Sequence, residues 1–413
     1  MKILILSFYY YPDLCAGSFR CTALVEQLSN VLGEECDIDV MTTRPNRYSS
    51  YDARAPEVEH IKGVRIQRIT LPSHQSGMLD QTKAFAYFSL QVQKKIKNQN
   101  YALVFATSSR LLTASLGAWV ARRKKAILYL DIRDIFVDTV RDILPGKYAL
   151  LLKPLLSLLE RWTISRAQCV NLVSPGFKDY FMQRYPTITY QGFTNGIDPE
   201  FLRLNGCDQQ LEPHQPYTVL YAGNIGEGQG LHRIIPMLAK RLEGRVVFKM
   251  IGDGGRKTQL QTALKEAQCR NVELIPPMQR SELMKAYQHA DVLFLHVNHY
   301  DAFLKVLPSK LFEYAAMNKP ILAGISGFAA KFVKSEMSDC EIFHPCDVCG
   351  AEDAFFRLKF DVAPRVEFIK KYQRSHIMRA MAQDIRSFIG LLSKEGFKGY
   401  EDTYHWGDRV YRG

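Results

Sequence analysis

Apolar residues come along this chain in short blocks. In the first half the blocks Lys2 to Ser7, Ile38 to Thr42, Val64 to Ile69, Leu103 to Ala106, Ile127 to Leu130 and Cys169 to Val173 are apolar and rich in β-branched side chains, with amphipathic stretches between them. A strand buried on both faces reads as a continuous apolar block, so the alternation predicts a parallel sheet covered by helices. Ser18 to Leu32 reads as a helix: Ala23, Leu24, Leu28 and Val31 recur at helical spacing, and Gly33 offers a stop. The loop-like stretch Gly192 to Pro199 and the polar run Asn205 to Gln215 mark a domain boundary. A second alternation then predicts strands at Tyr217 to Ala222, Val246 to Ile251, Val272 to Ile275, Val292 to His296 and Pro320 to Ala323, with one or two helices from Val366 to Leu392. At 413 residues the chain exceeds what one core organises, so two α/β domains are predicted.

Composition narrows the function. Hydrophobic residues make up 47% and charged residues 23%, the balance of a folded globular protein. The net charge of +12 favours phosphate-bearing ligands, nucleic acid or an anionic membrane face. No basic run exceeds Arg122 to Lys125 and no nucleic-acid motif is present, so nucleic acid is not an expected partner. Met1 to Ser7 is too short and too soon polar for a signal peptide, and no apolar run is long enough to span a bilayer. A cytoplasmic protein with at most peripheral membrane contact is the expectation. The nine cysteines are scattered, and the close pair Cys346 and Cys349 lacks further ligands, which points to incidental thiols and no metal site. Two helical segments are ambiguous. Lys83 to Lys97, with Phe85, Tyr87 and Phe88, suits an interfacial patch and a core helix equally, whereas the leucine-rich Tyr148 to Trp162 is expected to be a core helix.

Candidate chemistry concentrates in the second half, where glycines follow strands and precede helices. Gly223, Asn224 and Gly226 sit in one such turn, and Asp253, Arg256 and Lys257 in or beside a second, whose cations suit a phosphate. In the third, Pro308 suits the first turn of a helix, which leaves the amides of Ser309 and Lys310 open towards the strand ends. A diphosphate there would gain from the helix dipole and Lys310, about 1 kcal/mol each in an exposed setting. Glu313, one turn on, could accept hydroxyl hydrogen bonds from a ribose. Each turn alone also suits a plain strand-to-helix connection.

Their order carries more. Ala16-Gly17-Ser18, Val173-Ser174-Pro175-Gly176, Asn195-Gly196-Ile197-Asp198, Gly223-Asn224-Ile225-Gly226, Gly252-Asp253-Gly254 and Pro308-Ser309-Lys310-Leu311-Phe312-Glu313-Tyr314 follow one another. In that sequence they resemble the retaining GT-B glycosyltransferases of family 4, of the bacterial surface-polysaccharide type. The resemblance implies two facing Rossmann-like domains, at residues 1–197 and 198–375, and a helical segment 376–413 returning to the first. It implies sugar transfer from a nucleotide-sugar, a UDP-sugar above all, to a glycan or polyprenyl-diphosphate-linked acceptor, with retention and no obligatory metal or other cofactor. Carried over by position, Gly17 lies beside the donor diphosphate, Ser309 and Lys310 bind phosphate, Glu313 holds the ribose and Met278 lies in the base-binding turn. Asp131 and Asp134 follow a first-domain strand and are expected to point into the cleft as catalytic carboxylates. The chain departs from the family at Lys305, where a first glutamate is common, and at Asn224 and Gln229, where Arg and Lys are common. Phosphate cations are therefore expected from Arg256, Lys310, Lys305 or Arg20. A sugar-nucleotide 2-epimerase and a silent donor-binding scaffold are the alternatives.

Overall fold

The computed structural model describes residues 1–46, 54–72, 78–108, 111–138, 146–202, 215–337, 339–360 and 364–391. All of the run Asn205 to Gln215 except its last residue lies outside them, as does everything beyond 391. The described residues form two compact units, divided after Asn195 and again after Gln373. Residues from Gly196 to Gln373 make up the second unit, and those before and after it the first.

The first unit holds β1 (Lys2–Leu6), β2 (Asp37–Thr43), β3 (Val58–Ile61), β4 (Val64–Ile69), β5 (Leu103–Thr107), β6 (Ile127–Ile132), β7 (Cys169–Leu172) and β8 (Thr189–Gln191). They form one sheet in the order β3-β4-β2-β1-β5-β6-β7-β8, parallel throughout except for the antiparallel β3–β4 pair. Strands β5, β6 and β7 are buried along their whole length, which is why they read as nearly unbroken apolar blocks. The helix Ala16–Leu32 ends at Gly33, whose φ is +53°. Against it packs the helix Arg374–Leu391, whose Asp384 accepts hydrogen bonds from Tyr129 Oη at 2.8 Å and Gln191 Nε2 at 2.9 Å.

The two ambiguous segments resolve in opposite directions. In the helix Met78–Ile96, Ala84, Phe85, Phe88, Val92 and Ile96 are buried on one face, with the Phe88 ring 5.3 Å from that of Phe8. This is a core helix. The leucine-rich helix Gly146–Ile164 leaves Leu155 60% and Leu158 64% exposed, so the expectation of a core helix fails on that face. Among the described residues no helix is long and apolar enough to cross a membrane.

The second unit holds β9 (Tyr217–Asn224), β10 (Val246–Asp253), β11 (Val272–Ile275), β12 (Val292–His296), β13 (Ile321–Gly324) and β14 (Cys340–Phe343). All are parallel, in the order β11-β10-β9-β12-β13-β14. The chain winds outward from β9 in one direction and from β12 in the other. Between these strands the winding reverses, and a crevice opens at their carboxyl ends, the usual ligand position in such sheets.

Candidate active site

Three turns line the crevice of the second unit. At the end of β9, Gly223 has a φ of +148°, and a Cβ there would stand 2.4 Å from Lys310 Cε and 2.6 Å from its Nζ. Glycine thus lets the lysine cross the strand end. The Lys310 ammonium lies 5.8 Å from the Tyr221 ring centroid and has no hydrogen bond or ion pair among the described residues. Burial pulls its pKa below the usual lysine range, and nearby Glu313 opposes that fall.

Glu313 lies on the helix Lys310–Ala316 and is 8% exposed. Its carboxylate also lacks a hydrogen bond or ion pair among the described residues. Buried carboxylates are normally paired, because desolvation of the charge is costly otherwise. Two cations stand near it: Lys310, and Arg280, which forms an ion pair with Asp198. Burial works against the Arg280 charge, but Asp198 and then Glu313 outweigh it and raise its pKa. The hydrogen-bond ladder of the Glu313 helix starts with Leu311 N–H to Pro308 O at 3.2 Å and Phe312 N–H to Ser309 O at 3.2 Å, which leaves the Ser309 and Lys310 amides ahead of it. Pro308 therefore stands just outside the helix.

The turn after β9 carries no cation of its own. Asn224 Nδ2 donates to Gln229 Oε1 at 2.8 Å, so the two residues that depart from the family pattern pair with each other. Among the described residues the amides of Gly226, Glu227 and Gly228 donate to nothing. At the end of β10, the Gly252 φ is +150° and a Cβ would meet Gly223 O at 1.8 Å, so close strand packing dictates this glycine. Asp253 Oδ1 accepts from the Gly254 amide at 2.8 Å and lies 3.9 Å from Lys257 Nζ. Arg256 forms an ion pair with Glu227, which also accepts from Tyr300 Oη at 2.5 Å. Met278 is half-buried in the turn between β11 and the helix Arg280–His289, and Lys305 is the half-buried last residue of the 3-10 turn Asp301–Lys305.

In the first unit Gly17 is buried in the first turn of the helix Ala16–Leu32. Arg20, on the same helix, is 1% exposed and grips Asp131 at the end of β6, with Nε to Oδ2 at 3.0 Å and Nη2 to Oδ1 at 2.9 Å. Its remaining donors reach Thr194 O at 2.6 Å and Phe193 O at 2.8 Å. Asn171 Nδ2 donates to Asp131 Oδ1 at 2.7 Å. Asp134 is half-buried, and burial pushes its carboxyl up to about 6 against the pull of Arg133.

Two family profiles match this chain. That of the glycosyl transferase 4-like domain covers residues 21–187, and that of the glycosyl transferases group 1 covers residues 207–358. The chain is a glycosyltransferase of the GT-B family 4 type. This transferase is 26% identical over 425 residues to WcaI of Escherichia coli (strain K12), assigned as a colanic acid biosynthesis glycosyl transferase, covering 94% of this chain and all of that one. Among solved structures it is similar to sucrose-phosphate synthase of Thermosynechococcus elongatus, with a TM-score of 0.64 at 15% identity, over 95% of this chain and 98% of the other. Anabaena HepE in complex with UDP and glucose matches with a TM-score of 0.62 at 14% identity, over 94% and 100%. These likenesses establish the GT-B fold.

Within the transferase the structure corrects three expectations. Arg20 is not available to a donor phosphate, because Asp131 and two carbonyls take up its guanidinium. Asp131, 2% exposed, is not a free carboxylate but anchors that arginine and accepts from Asn171. Arg256 and Lys257 do not form an open phosphate cradle, since Glu227 and Asp253 hold them. His296 and Asn298 escaped the sequence reading, and Asp198 and Arg280 entered it only as motif and turn neighbours without a role of their own. A histidine closing the otherwise apolar block Val292 to His296 was the available signal.

His296 is 1% exposed; its Nε2 accepts from the Cys346 amide at 2.9 Å, so Nδ1 carries the proton and donates to Gln229 O at 2.6 Å. Burial lowers its pKa from 6.5 to about 4, although the Gln229 hydrogen bond works the other way. The unfolded chain therefore takes up this proton at higher pH than the folded one. Its share of stability is complete above pH 6.5 and is lost as the pH falls towards 4, by about 2 kcal/mol at pH 5. Asp134 and Asp384, both raised to about 6, shift stability the opposite way, so the comparison must be with a variant. Between pH 7.5 and pH 5 the wild type is expected to lose about 2 kcal/mol more unfolding free energy in urea than His296→Asn does. Equal losses would contradict this assignment.

Proposed function

We propose that this transferase moves a sugar from a nucleotide-sugar, with a UDP-sugar as the first candidate, to a glycan or polyprenyl-diphosphate-linked acceptor of cell-surface polysaccharide, with retention at the anomeric carbon. The observation that carries the donor reading is the pair Lys310 and Glu313, two charged groups of opposite sign at the strand ends without hydrogen-bond partners among the described residues. The UDP in the HepE complex and the colanic acid assignment of WcaI support the donor and acceptor classes.

In this reading the diphosphate lies against the amides of Gly226 to Gly228 and those of Ser309 and Lys310, with the Lys310 ammonium countering its charge. Glu313 accepts the ribose hydroxyls, and Met278 borders the base. Departure of the nucleoside diphosphate is eased by groups already oriented, without an obligatory metal. The leaving phosphate takes the acceptor proton on the face it has vacated. Asp134, with its raised pKa, remains the first-unit carboxyl suited to a sugar or acceptor hydroxyl. The exposed Leu155 and Leu158, one turn apart on their helix, support peripheral attachment to the inner face of a membrane, where a lipid-linked acceptor would be met.

A panel of UDP-, GDP- and dTDP-sugars is expected to raise the melting temperature for one nucleotide only, since bound ligand stabilises by mass action. With that donor, transfer to a polyprenyl-diphosphate-linked glycan is expected to exceed transfer to the free glycan. Epimerisation without transfer, or no response to any donor, would refute the reading.

A further inference from the structure

Three successive carbonyls of the turn after β9 are held by two residues at the end of β12. His296 Nδ1 donates to Gln229 O at 2.6 Å, the Asn298 amide donates to Gly228 O at 2.8 Å, and Asn298 Nδ2 donates to Glu227 O at 2.8 Å. Both residues are 1% exposed. Asn298 Oδ1 is itself held by Arg233 Nη1 at 3.1 Å and by the His299 amide at 2.9 Å, so the side chain cannot turn over without losing both. A peptide unit is planar, and its N–H points opposite to its C=O. Holding Glu227 O on the β12 side therefore turns the Gly228 N–H, in the same plane, away from Asn298, and that amide has no partner among the described residues.

We propose that His296 and Asn298 are positioning residues of the transfer reaction, fixing the carbonyls of residues 227–229 so that the amide edge of this turn is preset for the donor diphosphate. The proposal rests on the donor site inferred above. It gives the neutral Asn224–Gln229 pair a context: with no cation in the turn, phosphate affinity depends on how well its amides are oriented.

The two ends of the His296 ring can be separated. Asparagine places an N–H near the Nδ1 position and keeps the bond to Gln229 O, but gives up the Cys346 amide. Glutamine reaches the Nε2 position, can accept from Cys346, and cannot reach Gln229 O. Binding of UDP, GDP and dTDP to the full chain is measured by calorimetry, with circular dichroism to verify folding. For the nucleotide bound by the wild type, His296→Gln and Asn298→Asp are each expected to weaken binding about tenfold, the value of one hydrogen bond, and His296→Asn to recover most of the loss. A ring that serves only to hold the Cys346 turn gives the reverse order, and that order, or equal affinities for the two His296 variants, overturns the proposal. Glu313→Ala keeps the two readings apart. If it loses binding while His296→Gln binds as the wild type does, the clamp alone fails; if the wild type binds none of the three nucleotides, the donor reading fails and the clamp with it.

Discussion

Replacing Asp131 with alanine is expected to destabilise the protein by about 3–5 kcal/mol, the usual cost of breaking a buried ion pair from one side. Arg20 is 1% exposed and directs two of its donors at that carboxylate. Without it, the charge stays buried against the carbonyls of Phe193 and Thr194, which offer dipoles but no counter-charge. Asn171 also loses an acceptor. Asp131→Asn retains one oxygen and the side-chain shape, and should cost less than the alanine change. Urea unfolding measures both, and transfer activity separates the roles: a carboxylate with a chemical task would lose activity in a well-folded Asp131→Asn, whereas an anchor loses stability first. A loss below about 1 kcal/mol in Asp131→Ala would contradict the anchoring role.

Glu313→Ala should abolish the nucleotide-induced rise in melting temperature. The carboxylate is flanked by Lys310 and Arg280 but hydrogen-bonded to nothing among the described residues, so two ribose hydroxyls would find an acceptor that is already desolvated. A hydrogen bond to a charged group contributes about 1.5–3 kcal/mol, so losing two weakens donor binding on the order of 100-fold or more. Glu313→Gln, which keeps one acceptor oxygen and no charge, should fall between. Arg280 keeps Asp198 as its partner in both variants, so the helix start after Gln279 should survive. An undiminished thermal response in Glu313→Ala would place the ribose elsewhere.

How much of this was legible in the sequence depends on the kind of residue. Buried strands such as β5 and β12 announce themselves, because both faces are buried and the apolar block is nearly unbroken. β3 was missed for the converse reason: it is a short edge strand, exposed or half-exposed along its length, and carries no continuous apolar block. β8 and β14 are also short and only partly buried. At the site, the glycine turns and the Pro-Ser-Lys-Leu-Phe-Glu-Tyr helix were readable from motif order. Pairing was not. A lone arginine reads as a phosphate ligand, and only the fold reveals that Asp131, distant in sequence, already holds Arg20, or that Glu227 holds Arg256. His296 and Asn298 act through main-chain carbonyls, which leave no trace in residue identities at the other end.

The chain enters the second unit after Asn195 and leaves it after Gln373, and within that unit the two crossings lie side by side, with Ile197 N–H donating to Tyr372 O at 2.7 Å and a parallel bridge joining Ile197 to Gln373. In sequence terms, then, the second unit is a guest inserted into its host, and its two ends emerge together. An insertion with adjacent ends can be exchanged as a cassette without rerouting the host chain. A relative's insert could be spliced between Asn195 and Arg374 and bring its own nucleotide preference, while the host sheet and its returning helix stay the same.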